Sequence, residues 1–213
     1  MIKMFIPLIP IIAVAYVSKL SASGSGAFMF FAPIVFSLLY VLSLFCKQEG
    51  RYIDLDIHGL TKELAQMFEI DCPKVSISDS PSINAFVNGV LKFAEITLSM
   101  GAKNKLTDKE LVGVLAHELA HIKNHHPAIN AVFMVGIGII YTVLLVLNAT
   151  YLSLSLASSA IIILFAIKSV YIEIVADSES SKVVSKDGIV AFLKRVGGNS
   201  IYSKIRLWSL NNV

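Results

Sequence analysis

Charged residues are scarce in this chain of 213 residues: Asp, Glu, Lys and Arg make up only 15% of it. An average soluble domain carries roughly a quarter. That deficit, with 55% hydrophobic residues and a mean hydropathy of +0.73, argues against an ordinary soluble fold and for a membrane protein. A surplus of one sign is missing too. The net charge is +3, and no basic run carries interleaved aromatics, so no nucleic-acid partner is expected. Cysteine is nearly absent. Cys46 and Cys72 lack metal-type spacing to each other or to any histidine, which argues against a cysteine-ligated metal and a disulfide framework.

What is present in quantity is uncharged, apolar sequence. Residues 4–18, 20–46 and 128–167 form charge-free runs of 15, 27 and 40 residues. A transmembrane helix needs about 20 mostly apolar residues. The third run therefore suits two helices, with the polar "LNATYLSLS" at its midpoint as the hairpin tip. The second run spans once, over residues 27–45. The first is short and interrupted by Pro7 and Pro10, and it also has the form of a cleavable signal peptide. A second apolar run within ten residues favours a retained span paired in a helical hairpin. Of the 18 Lys and Arg residues, 16 fall in residues 47–126 or from Lys168 onward, and the short loops opposite contain only Lys19. By the positive-inside rule both polar regions face the cytoplasm.

Residues 47–126 read as a compact polar region. "IDLDIHGLTKELAQMFEI" has helical periodicity, "PKVSISDS" alternates like a short strand, and "INAFVNG" and "KFAEITLSMG" also have strand character. Then comes "LTDKELVGVLAHELAHIKNHH". Thr107 and Glu110 form a capping box at a helix start, and Leu111, Leu115, Leu119 and Ile122 make an inward apolar stripe. Four of the chain's five histidines lie at its end: His117, His121, His125 and His126. The fifth, His58, is isolated and reads as a surface residue.

Spacing gives this cluster two readings. It is a histidine-rich solvated helix, or a metal site in which His117 and His121, four residues apart, share one helix face and reach one Zn²⁺. Glu118 then projects beside the metal and is free to act as a base. A hydrolytic zinc site keeps three protein ligands and an open position. Beyond the 40-residue run stands "KSVYIEIVADSESSKVV", where Glu173 follows His121 by 52 residues and Asp177 lies one turn further. Two spans between His121 and Glu173 return the chain to the same membrane face, so the hydropathy layout permits the match. His125 continues the four-residue step and is a conceivable further metal contact, although a fourth protein ligand would close the site.

"HELAH", "EIVAD" and "SINAFVNG" together resemble the membrane gluzincin peptidases of the HtpX and CAAX-prenyl endoprotease type, across roughly residues 50–210. The resemblance implies that His117, His121 and Glu173 hold one zinc ion per chain and that Glu118 is the general base. It makes Asp177 the carboxylate that orients a ligand histidine through its other ring nitrogen. It also makes Asn84, Ala85 and Phe86 a strand that binds substrate by β-augmentation. Many members of that family end in a His-Pro followed by an arginine. Here "SIYSKIRLWSL" lacks the His-Pro and keeps Ile205, Arg206 and Leu207. His126 falls where many members carry a histidine, as a substrate-side or structural group.

The resulting expectation is an α-helical membrane protein with about four transmembrane helices and a small α+β zincin-like cytoplasmic subdomain. Residues 1–46 supply two N-terminal spans, 47–126 the subdomain with the HExxH helix, 127–168 a transmembrane hairpin, and 169–213 a helical region with the third ligand. At 1.5 Å per helical residue, His121 and Glu173 lie on the order of 10 Å from the membrane surface. The expected protein is a multi-pass zinc endopeptidase of the cell inner membrane, its active site facing the cytoplasm. It would cut membrane or misfolded proteins near the bilayer in quality control. Prenyl-protein processing is the alternative enzyme, and a membrane scaffold or chaperone the alternative outside catalysis. An intramembrane site-2 type protease is disfavoured, because Lys109, Glu110 and Lys123 surround the motif. The sequence does not indicate an oligomeric state.

Overall fold

The structure is a computed structural model that describes residues 35, 37–40, 42–43, 53–147, 150–198 and 200–212. The two spans expected within residues 1–46 fall almost wholly outside the described residues, and so does the choice between a retained span and a cleaved leader. Two compact units emerge. One holds residues 129–168 with the described part of 1–45, and the other holds 46–128 with 169–213.

The second unit begins with helix α1, Leu55–Met67. Asp54 caps it by accepting a hydrogen bond from the Ile57 N–H at 3.1 Å. Ile57, Thr61, Leu64 and Ala65 recur at helical spacing, and all four are buried. Three strands follow: β1 (Lys74–Ser78), β2 (Ala85–Asn88) and β3 (Glu95–Ser99). Strand β3 is central. It pairs in parallel with β1, Val75 opposite Ile96 and Ile77 opposite Leu98, and antiparallel with β2, Phe86 opposite Thr97. The strands read in "PKVSISDS" and "INAFVNG" are there. In "KFAEITLSMG" the strand is confined to Glu95–Ser99, because Ser99 caps a short helix α2, Met100–Lys105, by accepting from the Ala102 N–H.

Helix α3, Asp108–Lys123, carries the capping box expected from sequence. Thr107 Oγ1 accepts from the Glu110 N–H at 3.4 Å, and Glu110 Oε2 accepts from the Thr107 N–H at 2.9 Å. Leu111, Leu115 and Leu119 are buried with Phe68, Ile77, Ile96 and Leu98 in one core between α1, the sheet and α3. Helix α6 (Lys186–Gly197) closes tightly on α3. A Cβ on Gly113 would lie 2.8 Å from the Gly188 carbonyl carbon, and one on Gly188 would lie 2.1 Å from the Lys109 carbonyl oxygen. Helix α7 (Ile201–Asn211) packs Leu210 against Ile189 and Leu193 of α6.

Helices α4 (His126–Val146) and α5 (Tyr151–Val183) are long and apolar enough to cross a membrane. The described residues thus hold two of the four expected spans. Helix α5 resumes at Tyr151, so the last five residues of "LNATYLSLS" belong to a helix and the tip is shorter than the sequence suggests. In the first unit, Tyr141 and Ser158 join hydroxyls at 2.5 Å, and Met134, Ile137 and Ile161 are buried beside them. Lys168 lies 4.6 Å over the rings of both Phe133 and Phe165 and donates to Asn130 Oδ1. Its stem and charge are thereby accommodated at the end of the apolar run.

Candidate metal centre

Helix α3 presents His117 and His121 from successive turns, and their Nε2 atoms meet at 3.0 Å. Helix α5 brings Glu173 to them. Glu173 Oε2 lies 3.3 Å from His117 Nε2, and Oε1 lies 3.6 Å from His121 Nε2. One donor atom from each of the three lies within 4.8 Å of the others, and this group could hold a metal ion. The donor set suits zinc in kind, with two imidazoles and one carboxylate. It also suits zinc in spacing, because bonds of about 2.0–2.1 Å in a tetrahedron separate ligand atoms by about 3.3 Å.

Behind the donors is a second layer. Asp177, one turn beyond Glu173 on α5, places Oδ1 2.9 Å from His117 Nδ1, although Nδ1 forms no well-aligned hydrogen bond. Asp177 also receives a bidentate pair from Arg206 of α7, Nε to Oδ2 and Nη2 to Oδ1, both at 2.7 Å. Arg206 reaches Glu173 as well, Nη1 to Oε2 at 2.8 Å. These contacts pin both α5 carboxylates from the far side. On the His121 side, His121 Nδ1 lies 2.8 Å from His126 Nδ1. The turn that allows this is made at His125, where φ is +53°. The left-handed residue ends the four-residue step, leaves His125 exposed and buries His126. His125 is therefore no metal contact in this arrangement.

Burial and neighbouring charge set the protonation of the α3 groups. Burial pushes the Glu118 carboxyl up to about 7, partly offset by His117. Burial alone would lower His117, but the Asp177 carboxylate raises it to about 10. Burial and the adjacent His117 bring His121 down to about 3, outweighing the Glu173 carboxylate near its Nε2. Burial also opposes the charge on Arg206, yet Asp177 and Glu173 hold it firmly protonated. The Tyr202 phenol, one turn before Arg206 on α7, is pushed up by burial and by Glu173, so it keeps its proton.

Glu118 lies within reach of the backbone N–H of Val87. This sets the β2 segment beside the acid, with Ala85 and Phe86 in the strand and Asn84 just ahead of it, its carbonyl accepting from the Ser99 N–H at 2.9 Å. Among the described residues no further strand lies beyond β2 in the sheet. The structure thus gathers His117, Glu118, His121, Glu173 and Asp177, and sets Val87, which follows the 84–86 segment, beside Glu118. Sequence reasoning assigned no role to Arg206 or Tyr202. A signal was available for the arginine: Ser203, Arg206 and Leu210 share the buried face of α7, while Ile201 and Trp208 are exposed, so a charge sits where an apolar residue is expected.

A histidine pair on an HExxH helix facing a glutamate from a single later helix is the arrangement of the gluzincin class of metallopeptidases. Comparison with known proteins makes this more particular. Residues 51–181 match peptidase family M48, and the chain belongs to that family. It is 40% identical over 84 residues to a protease HtpX homolog of Bacteroides fragilis, covering 39% of this chain and 26% of that protein. It is 35% identical over 122 residues to protease HtpX homolog 1 of Saccharolobus solfataricus, covering 54% of this chain and 38% of that protein. These matches reach less than half the length of either relative. The crystal structure of S. mikatae Ste24p shares the fold, with a TM-score of 0.50 at 14% identity, over 97% of this chain and 56% of that one.

Proposed function

We propose that the chain is a membrane-anchored, zinc-dependent endopeptidase that cuts membrane or misfolded proteins close to the cytosolic bilayer surface, in protein quality control. The observation that carries this reading is the convergence of His117, His121 and Glu173 from two helices, with Glu118 buried beside them. Those three residues would hold the metal, and Asp177 and Arg206 would position His117 and Glu173. When bound, zinc would polarise a carbonyl and make a water more acidic. Glu118 orients the attacking water, takes its proton and passes that proton to the leaving amine. Burial holds the acid near neutrality, where it can both accept and return a proton. Strand β2, the terminal strand of the sheet, would align an extended peptide, with Asn84, Ala85 and Phe86 alongside it.

The membrane location rests on α4 and α5, and the cytosolic face on the concentration of Lys and Arg in the polar segments. Glu173 is only five residues past Lys168, which favours substrates presented near the bilayer. The direct test incubates the detergent-solubilised protein with zinc and an unfolded membrane protein. Glu118→Gln should abolish cleavage while retaining stoichiometric zinc. Undiminished cleavage by that variant would refute the mechanism.

A further inference from the structure

One polar group beside the metal donors has no task in this scheme. The Tyr202 hydroxyl is buried and forms no well-aligned hydrogen bond, although it faces the Glu173 carboxylate. Burying such a group without a well-made bond is costly. Helix α7 nevertheless puts it beside the Glu173 carboxylate instead of in water. Among the described residues one other buried side-chain atom, His117 Nδ1, is without a well-aligned bond, and it faces Asp177 at 2.9 Å. Its neighbours are committed: Arg206 is bound to both Asp177 and Glu173, and His126 meets His121. Arg206 also holds the phenol in place, its guanidinium carbon 5.8 Å from the centre of the Tyr202 ring. Peptide hydrolysis calls for a donor that is idle in the resting site and engaged once negative charge develops on the carbonyl oxygen. A bond made only at that stage lowers the barrier without tightening substrate binding.

We propose that Tyr202 is a catalytic residue of this site, its hydroxyl donating to the scissile carbonyl oxygen as that oxygen becomes an oxyanion. The assignment rests on the peptidase reading above. As water adds to the carbonyl carbon, one of its protons passes to Glu118 and the C=O π pair moves onto oxygen. The phenol donates a hydrogen bond to that oxygen and keeps its own proton. On collapse the pair re-forms C=O, the C–N bond breaks, and the proton on Glu118 goes to the leaving nitrogen. Water is the only co-reactant.

The test compares wild type, Tyr202→Phe and Glu118→Gln on an internally quenched peptide spanning a bond that the wild type cuts. Tyr202→Phe should lower kcat by about 10²–10³-fold with little change in KM. Its zinc content and melting temperature should match wild type. A phosphinic peptide, which mimics the tetrahedral adduct, should bind Tyr202→Phe more weakly by a similar factor in calorimetry, whereas the cleaved product binds equally. Wild-type kcat/KM in Tyr202→Phe, or a loss explained by lost zinc, would overturn the assignment. Cleavage by Glu118→Gln at the wild-type rate would instead overturn the peptidase reading, and Tyr202's role with it.

Discussion

His126 meets the ring of His121, the second candidate donor, at 2.8 Å. Because His121 points Nε2 at His117 and Glu173, its Nδ1 must carry the proton that passes between it and His126 Nδ1 once Nε2 binds a metal. His126 then acts as the acceptor. Removing such a supporting partner typically costs about 10–100-fold in metal affinity. His126→Phe, which keeps a ring but no acceptor, should weaken zinc binding by that factor in competition with a chelating dye. His126→Asn retains an acceptor oxygen and should recover most of the loss. Equal affinities in all three proteins would show that the contact does not orient His121. The sequence offered His125 as a further metal contact and His126 as a substrate-side or structural group, but one left-handed residue decides which of the two rings turns inward.

The α3 helix is anchored by a side chain far from the chemistry. Glu110 is buried, closes the capping box with Thr107, and accepts from Arg195 Nε of α6 at 2.8 Å. The Thr107 backbone bond, with help from Arg195 and against the cost of burial, holds its carboxyl below the ordinary 4.5. A carboxyl depressed on folding adds stability above its unfolded pKa and loses that contribution as pH falls through the folded value. Glu110→Gln should therefore cost about 1 kcal/mol at pH 7. The gap from wild type should narrow below about pH 4, as read by chemical denaturation at a series of pH values. A gap independent of pH would assign the effect to packing alone. The cap and apolar stripe of α3 were legible in sequence because both depend on residues three or four apart. The Arg195 contact, 85 positions away, was not.

At the scale of the whole molecule, the candidate metal donors bring α3 and α5 together, and Arg206 joins α5 to α7. A metal bound only by the folded chain stabilises it by mass action, about 4 kcal/mol at a thousandfold excess over Kd. Chelation should lower the melting temperature by on the order of 10 °C. Glu118→Gln should show the same shift and His121→Phe almost none, since only the second loses a donor. A chelator-insensitive wild type would mean that the three residues do not bind metal. The sequence by itself determined the HExxH helix with its cap, the strand segments and the apolar runs, because each is written in spacings of two to four residues or in unbroken composition. It also named Glu173 and Asp177, through the motif they belong to. Only the tertiary structure decided that Arg206 grips both carboxylates, that His126 and not His125 meets His121, and that the Tyr202 hydroxyl is buried facing Glu173. These depend on where separate helices come to rest against one another, and no local spacing encodes that.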